Sequence, residues 1–239
     1  MVSVIAILFA LLSAFFFSSA GIANRKAVIN KEVIPGTFLV ISIAVPFLLP
    51  AIILTGDIFT FFQTDPTSVA LLAVMGVLQY VAGIGLYTKA LKMIGTTRSA
   101  PIRETSLIHS VFFGIVLLNE TITLLSTLAI VLILFGVIMA SMSGEAIPHG
   151  PTKNFMSSNL LKGMIIGLVA AGFWGFAPVL IRAALPGVSS PIMATWFSFV
   201  FGALAWTLIL IGTRKVGGIK RLGRSSIILF LLAGVMTAI

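Results

Sequence analysis

No cysteine occurs anywhere in the 239 residues, which excludes a disulfide framework, a thiolate metal site and a cysteine nucleophile. Acidic residues are almost as scarce. There are 6 Asp and Glu in all, none of them set in a His-Glu-x-x-His helix or clustered as Mg²⁺ ligands. A P-loop and a Gly-x-Ser-x-Gly elbow are also missing. Catalysis would have to come from Arg103, Glu104 and His109 alone, so neither an enzyme, a cofactor nor a bound metal is expected.

Charge of any kind is rare at 9% of residues, while 59% are hydrophobic and the mean hydropathy is +1.20. Those values lie far outside the range of a soluble domain and define an integral membrane protein. The net charge of +9 would suggest nucleic acid in a soluble chain. Here the basic residues lie in short loops between apolar runs, which is the positive-inside pattern, and no nucleic-acid partner is expected.

Apolar segments fall at about 2–23, 36–55, 68–91, 99–118, 122–142, 162–184, 190–211 and 225–239. A helix needs about 20 apolar residues to cross the hydrocarbon core, so the pattern predicts seven full spans and part of an eighth. The alternating ten-residue segments of a membrane β-barrel are absent. "SSAG" at Ser18–Gly21 resembles a signal cleavage site, yet no Lys or Arg precedes the first run, so the segment is read as a retained helix. Of the 15 Lys and Arg, only Arg182 belongs to one side. The rest share the other, including Arg25, Lys26 and Lys31, then Lys153 and Lys162, then Arg214 to Arg224. The basic side is placed in the cytoplasm and the N-terminus outside.

A shift from Arg25 to Arg182 lays "FFSSAGIANR" (16–25) on "FWGFAPVLIR" (173–182). The same shift matches two ladders of small residues at four-residue spacing: Ala6, Ala10, Ala14 and Ser18 in the first span, Gly163, Gly167, Ala171 and Gly175 in the sixth. Small faces let helix backbones approach closely in lipid, and they could also pair two copies of the chain. Pro35 then meets Pro191, and "MGVLQYV" (75–81) meets "AGVMTAI" (233–239). The repeating unit is five spans long, and an odd number forces opposite insertion of the copies. The expected architecture is an all-α polytopic bundle of two inverted five-helix repeats, 1–142 and 162–239, the second incomplete, joined by a cytoplasmic linker at 143–161.

With these segments laid out, the chain resembles the EamA-like transporters of the drug/metabolite transporter superfamily. "LLNETITLLSTLAIVLILFGVIM" (117–139) is similar to the pattern that closes the family's first repeat, with Glu120, Thr123, Ala129 and Gly136–Val137 at the matching positions. "FWGFAPVLIRAAL" (173–185) is similar to the start of a repeat, and "LYTKALKMIGTTRSAP" (86–101) to the family's Tyr-x-x-Ala-Leu segment. Leu107 and Ala129 stand where family members usually carry Pro and Gly. The resemblance implies ten helices, so the chain is expected to be a C-terminally truncated copy. It also implies cytoplasmic termini, against the loop charges, and the charges are followed here.

Ionisable and polar residues inside a membrane are costly and mark functional sites. Ser99, Arg103, Ser106, Ser110 and Gly114 share one stripe of the fourth span, with His109 at its edge and Glu104 pointing elsewhere. Gln79, Gly83 and Tyr87 share a face of the third span. As the resemblance implies for helices three and four, these stripes are expected to line a central cavity closed by Trp174. The expected substrate-binding residues are Gln79, Tyr87, Arg103, Ser106, His109, Ser110 and Trp174. Arg103 can equally snorkel to the interface, and His109 can either couple to protons, with a reference pKa near 6.5, or bond a neighbouring helix. Lys89 and Lys92 read as orientation anchors, Glu120 as a loop cap, and Trp196 and Trp206 as lipid-facing or interfacial anchors.

The resulting expectation is a plasma-membrane secondary transporter of small metabolites, amino acids or drugs, working by alternating access. Export is the direction the resemblance most often implies. The alternative is a non-transporting truncated copy or assembly partner.

Overall fold

The computed structural model describes residues 4–28, 33–143 and 158–238. Most of the expected 143–161 linker, with Lys153, and also Lys31 lie outside the described residues. So does the side chain of Lys92. The described chain is helical throughout its ordered elements and contains no strand, as a bilayer demands, because lipid offers no partner to an unpaired N–H or C=O. The helices are α1 (Val4–Val28), α2 (Val33–Thr55), α3 (Pro66–Gly76), α4 (Ile84–Ile94), α5 (Thr96–Glu104), α6 (Ser106–Leu118), α7 (Leu124–Ser143), α8 (Ser158–Ala184), α9 (Pro191–Gly212), α10 (Gly218–Arg221) and α11 (Arg224–Ala238). A π-helical segment, Val77–Gly83, separates α3 from α4, and short 3₁₀ turns cover Asp57–Gln63 and Leu185–Gly187.

Among the described residues, six helical stretches are long and apolar enough to cross a membrane: Ile7–Asn24, Val33–Thr55, Pro66–Leu91, Arg98–Leu118, Asn159–Gly187 and Pro191–Gly212. Two further apolar stretches, Leu124–Gly136 and Arg224–Ala238, are shorter. Among the described residues, six of the seven full spans expected are therefore present. At 1.5 Å per residue the 15 residues of α11 reach about 22 Å, short of the ~30 Å core.

The chain forms two compact units, one of Met1–Gly76 with Gly187–Ile239, the other of Val77–Pro186. In the first, α2 packs against α9 and α11, α1 against α11, and α3 against α9. Its core joins Ile41, Ala44 and Ile52 of α2 to Met193 and Phe199 of α9 and Phe230 of α11, all buried. Helix α2 keeps its course through Pro46 and Pro50, each of which removes a backbone donor. Trp196 is half-buried: its indole donates to the Val45 carbonyl (3.1 Å), and its ring packs edge to face with Phe61. Trp206, by contrast, is buried rather than interfacial. On α1 the first small-residue ladder, at Ala10, Ala14 and Ser18, is exposed, and the Ala6 side chain lies outside the described residues.

The loop after α2 is stapled to the start of α9. The buried Asp57 accepts from the Ser190 hydroxyl (2.5 Å) and the Thr55 hydroxyl (2.7 Å), while Ser190 caps α9 by accepting from the Met193 N–H. Asp65 adds a second tie. Its N–H donates to the Gly187 carbonyl (3.0 Å), and its carboxylate caps α3 through the Ser68 N–H. The Ser190 hydroxyl first, and the Thr55 hydroxyl second, hold the Asp57 pKa below the ordinary carboxylate value, against the opposite pull of burial. Asp57→Ala is therefore expected to destabilise the protein by about 1–3 kcal/mol at pH 7. Because the folded pKa is the lower one, this stabilisation is present above the unfolded value of about 3.9 and lost as pH falls through the folded pKa. Thermal melts of wild type and variant should differ at pH 7 and converge progressively below about pH 4. A gap that persists undiminished into strong acid would remove the carboxylate charge from the explanation.

Candidate functional site

Helix α8 is the spine of the 77–186 unit, packed against α4, α5, α6 and the π-helical segment. The ladder on α8 explains how it gets so close. A Cβ added at Gly163 would strike Ile94 and Met93, one at Gly167 would meet Ile102 and Ala90, and Ala171 is fully buried. At Gly175 the approach is to backbone: a Cβ there would lie 2.5 Å from His109 Cβ, 2.6 Å from the Ser106 carbonyl and 2.8 Å from the Ser110 N. The sixth-span ladder is thus a packing face, as its spacing predicts.

That contact decides where part of the polar stripe goes. Ser106 and Ser110 present their backbone to α8 at Gly175, and His109 sits over Gly172 and Gly175. The expected single helix over 99–118 is two. Glycine at 95, with φ +78° and ψ 170°, makes the turn into α5 that other residues rarely adopt. Pro101 lies inside α5, and at Thr105 both the hydroxyl (2.6 Å) and the N–H (3.2 Å) turn back to the Ile102 carbonyl. A threonine hydroxyl competing for a backbone carbonyl is a known way to end or bend a helix.

Glu104 does not point away from Arg103. Its Oε1 accepts from both Nε (3.1 Å) and Nη2 (2.8 Å) of the guanidinium. Adjacent positions on a helix point about 100° apart, but these two side chains are long enough to close the gap, and an intramembrane charge is far less costly when paired. His109 turns back on its own helix rather than bonding a neighbouring one. Its Nδ1 lies 2.8 Å from the Thr105 carbonyl one turn back, which also receives the His109 N–H at 3.2 Å.

The third-span residues gather on Trp174. Its indole N–H donates to the Gln79 carbonyl (3.2 Å), and its ring lies 5.1 Å from that of Tyr87. A Cβ at Gly83 would fall 2.6 Å from the indole nitrogen. All three members of the expected face, at 79, 83 and 87, therefore meet one tryptophan, although a π-helical segment rather than a plain α-helix carries two of them. The extra residue of a π turn leaves a carbonyl open to an outside donor, and such turns are common at functional sites.

An open groove of about 550 Å³ runs beside this cluster, lined by Leu78, His109, Phe113, Leu168, Val169, Gly172, Phe173 and Phe176. Among the seven residues expected to bind substrate, only His109 lines it. Ser106 and Ser110 lie at the α6–α8 contact, Gln79, Tyr87 and Trp174 form the tryptophan cluster, and Arg103 pairs with Glu104. The aromatic lining is not among the residues the sequence singles out, although two spacings point to it: His109 and Phe113 are one turn apart, and Leu168, Val169, Gly172, Phe173 and Phe176 form one stripe of α8. Phe113 and Phe176 meet edge to face with centroids 5.0 Å apart.

At the end of α6, Asn119 takes a left-handed conformation (φ 53°) and Glu120 folds back, its N–H donating to the Gly114 carbonyl. A Cβ at Gly114 would lie 2.7 Å from the Glu120 carboxylate. That carboxylate accepts from Arg182 near the end of α8. Glu120 therefore ties two helix ends together in addition to closing the loop, and Arg182 finds its counter-charge there.

Six membrane-long helical stretches among the described residues, and close small-residue packing along α8, define a multi-pass helical membrane protein. The profile of the EamA-like transporter family matches residues 4–142, more than half of the chain, and the chain belongs to that family, within the drug/metabolite transporter superfamily. Its members are membrane transporters. No curated protein matches the chain.

Proposed function

We propose that the protein is a secondary transporter that moves a small metabolite, amino acid or drug across the plasma membrane by alternating access, in the export direction. The observation that carries this reading is the family match over residues 4–142. In it, 1–142 and 162–239 belong to two inverted five-helix repeats, and the N-terminus lies outside. The substrate site draws on Gln79, Tyr87, Arg103, Ser106, His109, Ser110 and Trp174. His109, the titratable residue of the groove, is the group that meets the substrate. Pairing of two copies through the exposed Ala10, Ala14 and Ser18 face belongs to the same reading.

The test is efflux from proteoliposomes loaded with a broad panel of labelled metabolites, amino acids and lipophilic drugs. Wild type should release at least one compound faster than protein-free vesicles. His109→Gln should slow that release by about tenfold or more, the loss expected when a positioned polar contact is removed, while the protein's thermal melt stays near that of wild type. Failure of the whole panel to move would favour the non-transporting assembly partner. Labelling of a cysteine placed in the 143–161 linker from outside intact cells would reverse the orientation.

A further inference from the structure

We infer that the groove between α6 and α8 takes an uncharged aromatic molecule with a single hydrogen-bond donor, a phenol or an indole, whose donor meets Nε2 of His109. The inference rests on the proposed transporter reading only in taking this groove as part of its substrate site. The volume of about 550 Å³ suits a small organic ligand.

The proton on His109 is placed by its neighbour. The Thr105 carbonyl, 2.8 Å from Nδ1, can only accept, so Nδ1 carries the hydrogen. In the neutral ring that leaves Nε2 as a lone-pair acceptor, and no hydrogen bond to it is formed among the described residues. His109 is also the only polar side chain among the eight described residues that line the groove.

The rest of the lining selects by exclusion. Among the described residues, no carboxylate lines the groove to neutralise an ammonium, and no Lys or Arg lines it to receive a carboxylate or phosphate. A charged or zwitterionic ligand would be desolvated there without a partner. A sugar would bring many donors to one acceptor. A lipid acyl chain would fill the volume and leave Nε2 unmatched. A fused aromatic ring with one donor satisfies both the acceptor and the walls, where Phe113, Phe173 and Phe176 offer ring edges and faces of the kind Phe113 and Phe176 already show each other (5.0 Å).

The experiment is equilibrium binding to the full chain in lipid nanodiscs, with protein-free discs as background. The probes are tritiated 2-naphthol, its methyl ether 2-methoxynaphthalene, and 2-naphthoate. Saturable binding of 2-naphthol is expected, with both analogues weaker by about tenfold or more, the factor that one unmatched hydrogen bond or one uncompensated charge introduces. In His109→Phe the preference for naphthol over its ether should vanish while ring binding remains. The wild-type probe series alone decides the matter if that variant does not fold. Equal binding of naphthol and its ether, tighter binding of naphthoate, absence of saturable binding, or displacement of naphthol by added phospholipid would each overturn the assignment. Transport of other compounds without naphthol binding would sink the ligand class and leave the transporter reading intact. Naphthol binding without transport of any compound would do the reverse.

Discussion

Replacing Trp174 with alanine is expected to destabilise the 77–186 unit by about 3–5 kcal/mol, the range found for truncating a large packed aromatic. Three contacts disappear together: the indole bond to the Gln79 carbonyl (3.2 Å), the ring pair with Tyr87 (5.1 Å) and the cover over Gly83. Trp174→Phe separates them. It keeps an aromatic ring and deletes the N–H, and hydrogen bonds between membrane helices are worth only about 0.6–2 kcal/mol. The phenylalanine variant should therefore retain more than half of the lost stability. Thermal melts followed by circular dichroism in one detergent read the order directly. If Trp174→Phe melts as low as Trp174→Ala, the hydrogen bond to the π-helical segment outweighs the ring, and ring packing does not hold the cluster together.

Gly175→Ala should destabilise the same unit by about 1–3 kcal/mol through overpacking. A single methyl would need to occupy space 2.5–2.8 Å from three atoms, two of them in the α6 backbone. Flexible side chains can yield to a new methyl, but backbone cannot without the helices moving apart, so Gly175→Val should be worse still. Gly85 on α4 supplies the control, since nothing lies within 4 Å of a Cβ built there. At that site alanine should be neutral or add about 0.5–1 kcal/mol, the helix preference for alanine over glycine. The check is the melt of each variant against wild type, together with the fraction recovered as a single species on gel filtration. Equal behaviour of the two alanine variants would mean that α8 does not rest on α6.

What can be read from residues alone follows from how strong the underlying constraint is. Continuous apolar runs can only be helices in a bilayer, so the helical character of the chain follows from its hydropathy pattern. The α8 ladder is legible for a similar reason, because four small residues on one face serve close packing in lipid. The matching ladder on α1 shows the limit of that rule, as Ala10, Ala14 and Ser18 are exposed.

The π-helical segment at Val77–Gly83 is not legible in this way. Its residues suit an α-helix equally well, and the donor at its open carbonyl comes from Trp174, 95 positions later. The pairing of Arg103 with Glu104 escapes helical spacing because spacing describes Cβ directions, whereas long side chains reach across them. In the candidate site, His109 stands out as the one titratable group of the apolar helix α6. The groove around it does not, since a phenylalanine facing a groove and one facing lipid look the same in a sequence.

The tryptophan at 174 also has an optical consequence. Of the 3 tryptophans in the chain, Trp196 and Trp206 belong to the Met1–Gly76 and Gly187–Ile239 unit, and Trp174 alone belongs to Val77–Pro186. A chain carrying Trp196→Phe and Trp206→Phe would emit ultraviolet fluorescence from a single indole, fed by energy transfer from Tyr87 at 5.1 Å. Its emission wavelength would report whether that indole still rests on the Gln79 carbonyl in a dry setting or has met water. The unit that holds the groove thus carries its own spectroscopic label, with no dye or added residue.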